Sequence, residues 1–310
     1  MRRLFTIAAS FAAVLAAVSC GGSKQEVTPA AKALAILKDP ASEKVLVAAH
    51  RGDWRNYPEN SIPAIESVIR MGLDIVEIDV AMTSDSILVL SHDGTVNRCT
   101  NGRGPVSSFT LDSLRHLKLK RGHGVTTDSL GIPTLEEALA VCKDKILVNV
   151  DHGWNYFPQV LEVAKKVGCV DQIIFKSGGD RQATANAMRQ CDEAGIIYMP
   201  IVTIGKDGTC PAIDSYLDGG KMPVMFEVCF SKDSPAVDKY MKSLRDAGSK
   251  IWVNSIWGSL CGYNDDDRAF QSPQEADAAY GRLLSLGFKA FQTDRPEYII
   301  SYLRQKGLHD

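Results

Sequence analysis

Short apolar runs alternate with amphipathic stretches along most of the chain. Runs at residues 45–49, 75–80, 146–151, 172–176, 196–202, 224–230, 250–254 and 288–293 are apolar at consecutive positions, as strands buried on both faces are. Between them, stretches such as 134–142, 159–167, 181–194, 236–247 and 276–286 carry apolar residues at helical spacing. Eight strand–helix units predict an α/β fold closed as a (β/α)8 TIM-type barrel. In such a barrel the active site belongs at the C-terminal ends of the strands.

One further strand-like run, 87–92, begins about six residues after the run ending at Val80. A parallel crossover takes a dozen or more residues, so a hairpin turning near Ser84-Asp85-Ser86 is expected. It rises from the mouth after Asp79 and returns there at about residue 91 or 92, which makes Asp79 and His92 neighbours. Residues 94–131, rich in Gly, Thr and Ser, read as an insertion over the mouth, and the barrel as a whole is assigned to 44–310.

The N-terminus is patterned differently. Arg2 and Arg3 precede an apolar stretch from Leu4 to Val18, then Ser19-Cys20-Gly21-Gly22. A basic segment, a short apolar segment and small residues at a cut site make a targeting signal over 1–19. A plain secretory signal would fit, but a Cys directly after a small residue and before Gly-Gly looks like a bacterial lipoprotein signal, although Ala17 stands where Leu is usual. That reading expects Cys20 to carry a lipid, 20–43 to be a tether with a helical stretch at 30–37, and the protein to be exported and anchored to the bacterial cell envelope. No apolar run after residue 20 reaches the ~18 residues of a spanning helix.

Composition narrows the function classes. Hydrophobic residues make up 45% and charged residues 23%, which excludes a mostly disordered or coiled-coil chain. Lys+Arg number 35 against 37 Asp+Glu, a net charge of −2, so no general electrostatic attraction to nucleic acid is expected. Seven cysteines follow Cys20, widely spaced and without a C-x-x-C, which reads as small buried apolar residues rather than a zinc site. Sequence leaves the oligomeric state open.

The expected strand ends gather the chemistry. The first is followed by His50-Arg51-Gly52, and the second holds Glu77-Ile78-Asp79, whose spacing of two aims both carboxylates to one side. The hairpin returns with His92-Asp93, and the next strand ends in Asn149-Val150-Asp151-His152. Three carboxylates in one mouth repel one another, and a divalent cation removes that repulsion. An all-oxygen donor set selects a hard ion, Ca²⁺ or Mg²⁺. Arg51 would supply positive charge for a phosphate, and two histidines can act as general acid and base. The arrangement suits cleavage of a small-molecule phosphodiester.

His50-Arg51-Gly52, Pro58-Glu59-Asn60-Ser61, Glu77-Ile78-Asp79-Val80, Ser91-His92-Asp93, Ile132-Pro133-Thr134-Leu135-Glu136-Glu137 and Thr293-Asp294-Arg295-Pro296-Glu297 occur in order. The set resembles the glycerophosphodiester phosphodiesterase family over about residues 45 to 302. The resemblance implies a metal-dependent barrel that hydrolyses glycerophosphodiesters to sn-glycerol 3-phosphate and an alcohol. It implies Glu77, Asp79 and Asp151 as metal ligands, His50 and His92 as the acid/base pair, and Arg51 as a phosphate contact. Glu59 and Asn60 either cap the helix expected at 63–71 or order the site.

The chain also departs from the family pattern. Asp151 stands where Glu is usual, and Gly153 where a Lys is usual. Lys176, at the end of the next strand, is expected to take over that lysine's phosphate contact. The family's Trp-Thr-Val-Asn appears here as Ile251-Trp252-Val253-Asn254, with the Trp moved by one position, so Trp257 or Trp154 is expected to form the aromatic wall. Glu227, on an apolar strand, is a further metal or substrate contact. His152 is expected on the opposite face as a structural residue, His116 and His123 on the surface of the insertion, and Asp265-Asp266-Asp267 in a solvated loop. Two rival functions fit less of the pattern: a phospholipase acting on intact lipids or phosphoinositides, and a non-catalytic barrel that binds glycerophosphoryl groups.

Overall fold

The computed structural model describes residues 27–122 and 124–310; the targeting signal, Cys20 and His123 lie outside the described residues. The strands are β1 (Leu46–Ala49), β2 (Ile75–Met82), β3 (Leu88–Leu90), β4 (Lys120–Arg121), β5 (Val125–Thr126), β6 (Leu147–Asp151), β7 (Ile173–Gly178), β8 (Ile197–Ile204), β9 (Met225–Phe230), β10 (Lys250–Asn254) and β11 (Ala290–Thr293). Eight of them close a parallel ring in the order β1-β2-β6-β7-β8-β9-β10-β11, with β11 returning to β1. The eight expected strands are these eight, with ends shifted by a few residues.

Local sequence fixes the helices around the ring. Helix Ile62–Met71 starts where the Ser61 hydroxyl accepts the Ala64 N–H, has Pro63 in its first turn, and stops at Gly72 with φ 80°. Helix Leu135–Cys142 starts with a capping box: Thr134 accepts the Glu137 N–H, and Glu137 accepts the Thr134 N–H.

Inside the barrel, alternate residues of each strand stack in layers. The lowest is apolar, with Leu46, Ala48, Ile75, Leu147, Ile174, Met199, Met225 and Trp252 in one buried cluster. Two residues further along the strands the interior turns polar: Glu77, Asn149, Lys176, Glu227 and Asn254 are all buried. Trp252 belongs to the lower layer, and its indole N–H donates to Asn254 Oδ1 at 2.8 Å.

Helix Pro29–Lys38 closes the floor. Ala30, Ala33 and Leu37 share its inner face and belong to the same apolar cluster as the lowest barrel layer. Burying a leucine such as Leu37 contributes about 2 kcal/mol. The segment read as a tether over 20–43 is therefore, from Pro29 onward, a plug packed into the barrel.

At the other end, β3 pairs antiparallel with the top of β2, Val80 opposite Leu90, and turns at Ser86 with φ 62°. The Ser91 N–H donates to the Asp79 carbonyl at 3.1 Å, so the hairpin delivers His92 beside Asp79 as expected. The insertion has its own small core of Val96, Val106, Leu114 and Leu119, packed with Val89 and Ile132.

Candidate active site

β2 and β6 run parallel with Asp79 opposite Asp151, which sets their carboxylates at one height. Glu77, Asp79 and Asp151 offer oxygen atoms that all lie within 4.8 Å of one another. Glu77 and Asp79 are fully buried, and Glu77 Oε1 and Asp79 Oδ1 accept no hydrogen bond from any of the described residues. Burial, then the neighbouring Asp79, drives the Glu77 carboxyl well above its ordinary range. Buried carboxylate oxygens without donors are costly, and a hard cation relieves that cost. The donor set could therefore hold a metal ion.

Two histidines stand at the same mouth, each with its own carboxylate. His50 Nδ1 lies 2.7 Å from Asp294 Oδ1, which also accepts the Trp54 indole N–H at 2.7 Å. His92 Nδ1 lies 2.8 Å from Asp93 Oδ1. A carboxylate at Nδ1 fixes that nitrogen as the donor and leaves Nε2 free to take or give a proton. Asp294 stays below the ordinary carboxylate range: burial opposes ionisation, but the bond from His50 and the charges around it prevail. Asp93 is held lower still, first by its bonds from Arg98.

Arg51 sits at φ 55°, and its N–H donates to Glu77 Oε2 at 2.8 Å. Its guanidinium reaches Glu59 at 3.2 Å and Asp79 at 3.5 Å, which places positive charge directly against the acidic cluster. Asn60 clasps Asp79 from both sides: its Nδ2 donates to Asp79 Oδ2 at 2.8 Å, and its Oδ1 accepts the Asp79 N–H at 3.0 Å. Glu59 receives Arg98 of the insertion at 2.6 Å, and Arg98 also holds Asp93. Ser61 alone caps the following helix, so Glu59 and Asn60 order the site.

Lys176 points into the barrel. Its Nζ lies 3.3 Å from Asp151 Oδ2 and 3.4 Å from Glu227 Oε2, and these anions hold it protonated despite complete burial. Burial works against the Asp151 charge too, but Lys176 and the His152 N–H bring its carboxyl below the ordinary range. Glu227 also accepts Asn254 Nδ2 at 2.9 Å, so it supports Lys176 from behind the cluster. Trp257 is 55% exposed, with its ring centroid 6.3 Å from that of His50. Trp154 instead packs against Phe157 and Phe175.

Two sequence expectations are corrected. His152 does not turn to the opposite face: its φ of 59° swings it back, and its ring lies 5.8 Å from that of His92. Asp266 is not solvated. It is 1% exposed and accepts bonds from Ser255, Tyr280, Thr293 and the Asp294 N–H. Its neighbours behave as surface acids: Asp265 caps a short helix and Asp267 is exposed. Asp93, Asp294 and Arg98 were not anticipated as site residues. The first two stood within quoted motifs, but Arg98 carries no pattern of its own.

Fold and site define a class: a (β/α)8 barrel with a cation-competent acidic cluster and a carboxylate-oriented histidine pair at its C-terminal mouth. The family model for the glycerophosphoryl diester phosphodiesterase family matches residues 50–297. The chain belongs to that family. A glycerophosphodiester phosphodiesterase of Caldanaerobacter subterraneus subsp. tengcongensis is 44% identical over 141 residues, a match covering 43% of this chain and 58% of that protein. Glycerophosphodiester phosphodiesterase 1 of Homo sapiens is 39% identical over 38% of this chain, yet the match spans only 35% of its own length. Among solved structures, a glycerophosphoryl diester phosphodiesterase of Parabacteroides distasonis superposes with a TM-score of 0.72 at 24% identity, over 88% of this chain and 91% of that one. These likenesses carry the same fold.

Proposed function

We propose that this protein is a metal-dependent phosphodiesterase that hydrolyses glycerophosphodiesters to sn-glycerol 3-phosphate and an alcohol. The observation that carries the reading is the pair of histidines, each oriented by its own aspartate, at the mouth that also holds the acidic cluster. Family membership supports it, as does a fold neighbour, a phosphodiesterase of Oleispira antarctica, whose structure is a complex with the product sn-glycerol-3-phosphate.

Glu77, Asp79 and Asp151 would hold the divalent ion, which when bound supplies positive charge for a non-bridging phosphate oxygen. Arg51 and Lys176 add charge at the same place, and Lys176 stands in for the lysine absent at Gly153. Asp294 and Asp93 keep His50 and His92 in the tautomer that presents Nε2. One histidine takes the proton of the nucleophile, either water or the glycerol hydroxyl that would close a cyclic phosphate. The other gives a proton to the leaving alcohol. Trp257 forms the wall beside His50 against which the substrate lies.

We also infer export and attachment to the bacterial cell envelope through a lipid on Cys20, on the strength of Arg2-Arg3, the apolar segment and Ser19-Cys20-Gly21-Gly22.

The test is a product assay with the metal-loaded full chain on glycerophosphocholine, glycerophosphoethanolamine and glycerophosphoinositol, beside vesicles of the corresponding intact lipids. Release of sn-glycerol 3-phosphate from the soluble diesters, with Ca²⁺ or Mg²⁺ required, is expected. Turnover of the vesicles alone would point to a phospholipase. Binding without turnover of any substrate would point to a non-catalytic barrel.

A further inference from the structure

The acidic run at 265–267 lies outside the chemistry described so far, yet its middle carboxylate is one of the most completely bonded groups in the protein. Oδ1 of Asp266 lies 2.7 Å from Ser255 Oγ and 2.9 Å from the Tyr280 hydroxyl. Oδ2 accepts the Thr293 hydroxyl at 2.8 Å and the Asp294 N–H at 2.7 Å. The Asp266 N–H in turn donates to the Ser255 carbonyl at 2.8 Å.

Three of these four donors are hydroxyls, which rotate and could be satisfied in other ways. The fourth is a peptide N–H with one direction, and it belongs to the residue that orients His50. The other side of that residue is fixed as well, because the Asp294 carbonyl accepts Arg55 Nε at 2.8 Å. Asp294 is thus clamped by its backbone on both sides while its side chain accepts from His50 and Trp54. Asp266 also ties the loop after β10 to the end of β11, since Ser255 leads that loop and Thr293 ends that strand.

We propose that Asp266 is the positioning residue of the Asp294–His50 pair: through the Asp294 N–H it sets where the His50 ring stands. This rests on the reading of His50 as an acid/base group. The physical reason is one of tolerance. Proton transfer needs heavy atoms placed within hydrogen-bond reach, and an aspartate at the tip of a strand is held only as well as its backbone. A buried carboxylate is a costly way to hold a loop when apolar packing would serve. It is an effective way to fix one N–H, because a charged acceptor makes the stronger and more directional bond.

The experiment measures steady-state hydrolysis of glycerophosphocholine by the metal-loaded full chain, with folding checked by circular dichroism. Asp266→Ala is expected to lower kcat by at least about tenfold with KM changed less than about twofold, the mark of an interaction expressed in the transition state. Asp266→Asn should recover most of kcat, since its amide oxygen can keep the Asp294 N–H while the hydroxyls turn to accept. In an Asp294→Ala background, Asp266→Ala should cost nothing further, because residues acting through one another are not additive.

An unchanged kcat in Asp266→Ala, or an equal loss in both backgrounds, would overturn the proposal. Should Asp266→Ala fail to fold, Thr293→Ala removes one donor from the same carboxylate. It should lower kcat about threefold or more, again only when Asp294 is present, and an unaffected kcat overturns the proposal. His50→Ala separates this inference from its premise. A fully active His50→Ala enzyme removes the functional reading itself, whereas an inactive one beside a normal Asp266→Ala enzyme removes only the role of Asp266.

Discussion

A Cβ on Gly153 would lie 2.5 Å from Cε1 of Phe175. The ring thus occupies the space that a side chain at 153 would need, and Phe157 packs against it, 5.4 Å between centroids. The lysine usual at this position in the family is excluded here by packing, and the residue after Phe175 is Lys176, whose Nζ reaches Asp151 from the next strand. The ring that fills the space beside Gly153 and the lysine that reaches Asp151 are thus consecutive residues of β7.

That arrangement makes a prediction. Lys176→Ala leaves Asp151 and Glu227 facing each other unpaired, and breaking a buried ion pair costs about 3–5 kcal/mol. The variant should lose kcat/KM and Tm together. Adding Gly153→Lys should not restore either, and should lower Tm further through the clash with Phe175. Recovery of activity in the double variant would refute the packing argument.

His50→Ala and His92→Ala should each lose roughly 10²–10⁴-fold in kcat while remaining folded. His152→Ala, whose ring adjoins that of His92 without a carboxylate of its own, should lose far less. Equal losses at His92 and His152 would reassign the proton transfer on that side of the mouth.

Metal binding is testable without turnover. Ca²⁺ or Mg²⁺ at about 100 times its Kd should stabilise the fold by about 2.7 kcal/mol, read as a rise in Tm. Glu77→Gln should abolish that rise, and EDTA should abolish hydrolysis. Full activity after exhaustive chelation would remove the ion from the mechanism.

Asp266 should leave a mark on stability. Burial pushes its carboxyl up to about 6 from 3.8, in spite of its bonds from Ser255, Thr293, Asp294 and Tyr280. A carboxyl harder to ionise when folded gives stability that is complete below its unfolded pKa and lost as pH rises through about 6, on the order of 3 kcal/mol in all. Asp266→Asn cannot ionise, so its Tm should gain on the parent's between about pH 4 and pH 7. Parallel Tm curves would contradict the raised carboxyl.

Cys20→Ser should move the protein from the membrane fraction to the soluble one. Unchanged membrane association would show that the signal had been misread.

Most of the barrel was legible because strands buried on both faces leave unbroken apolar runs. Glu77 and Asp79 stood out in such a run, where a charge has no bland explanation, and the short gap after Val80 dictated the hairpin. The failures have a common cause. The burial of Asp266 depends on Ser255, Tyr280 and Thr293, scattered over nearly forty residues, and nothing in three consecutive aspartates tells which is inside. The return of His152 to the mouth turns on one left-handed φ at a residue that gives no such signal, unlike a glycine. The helical stretch at 30–37 was readable but its docking was not, because a stripe as narrow as Ala30, Ala33 and Leu37 does not say what it packs against.

The plug formed by that helix also gives the molecule a direction. The chain enters the fold at the floor, at the opposite end from His50 and His92. Eight residues lie between Cys20 and Pro29, and a chain of that length spans no more than about 30 Å even when fully extended. A lipid on Cys20 would therefore keep the floor near the bilayer and turn the mouth outward. Held that way, the site would sample what diffuses past the envelope rather than the leaflet beneath it.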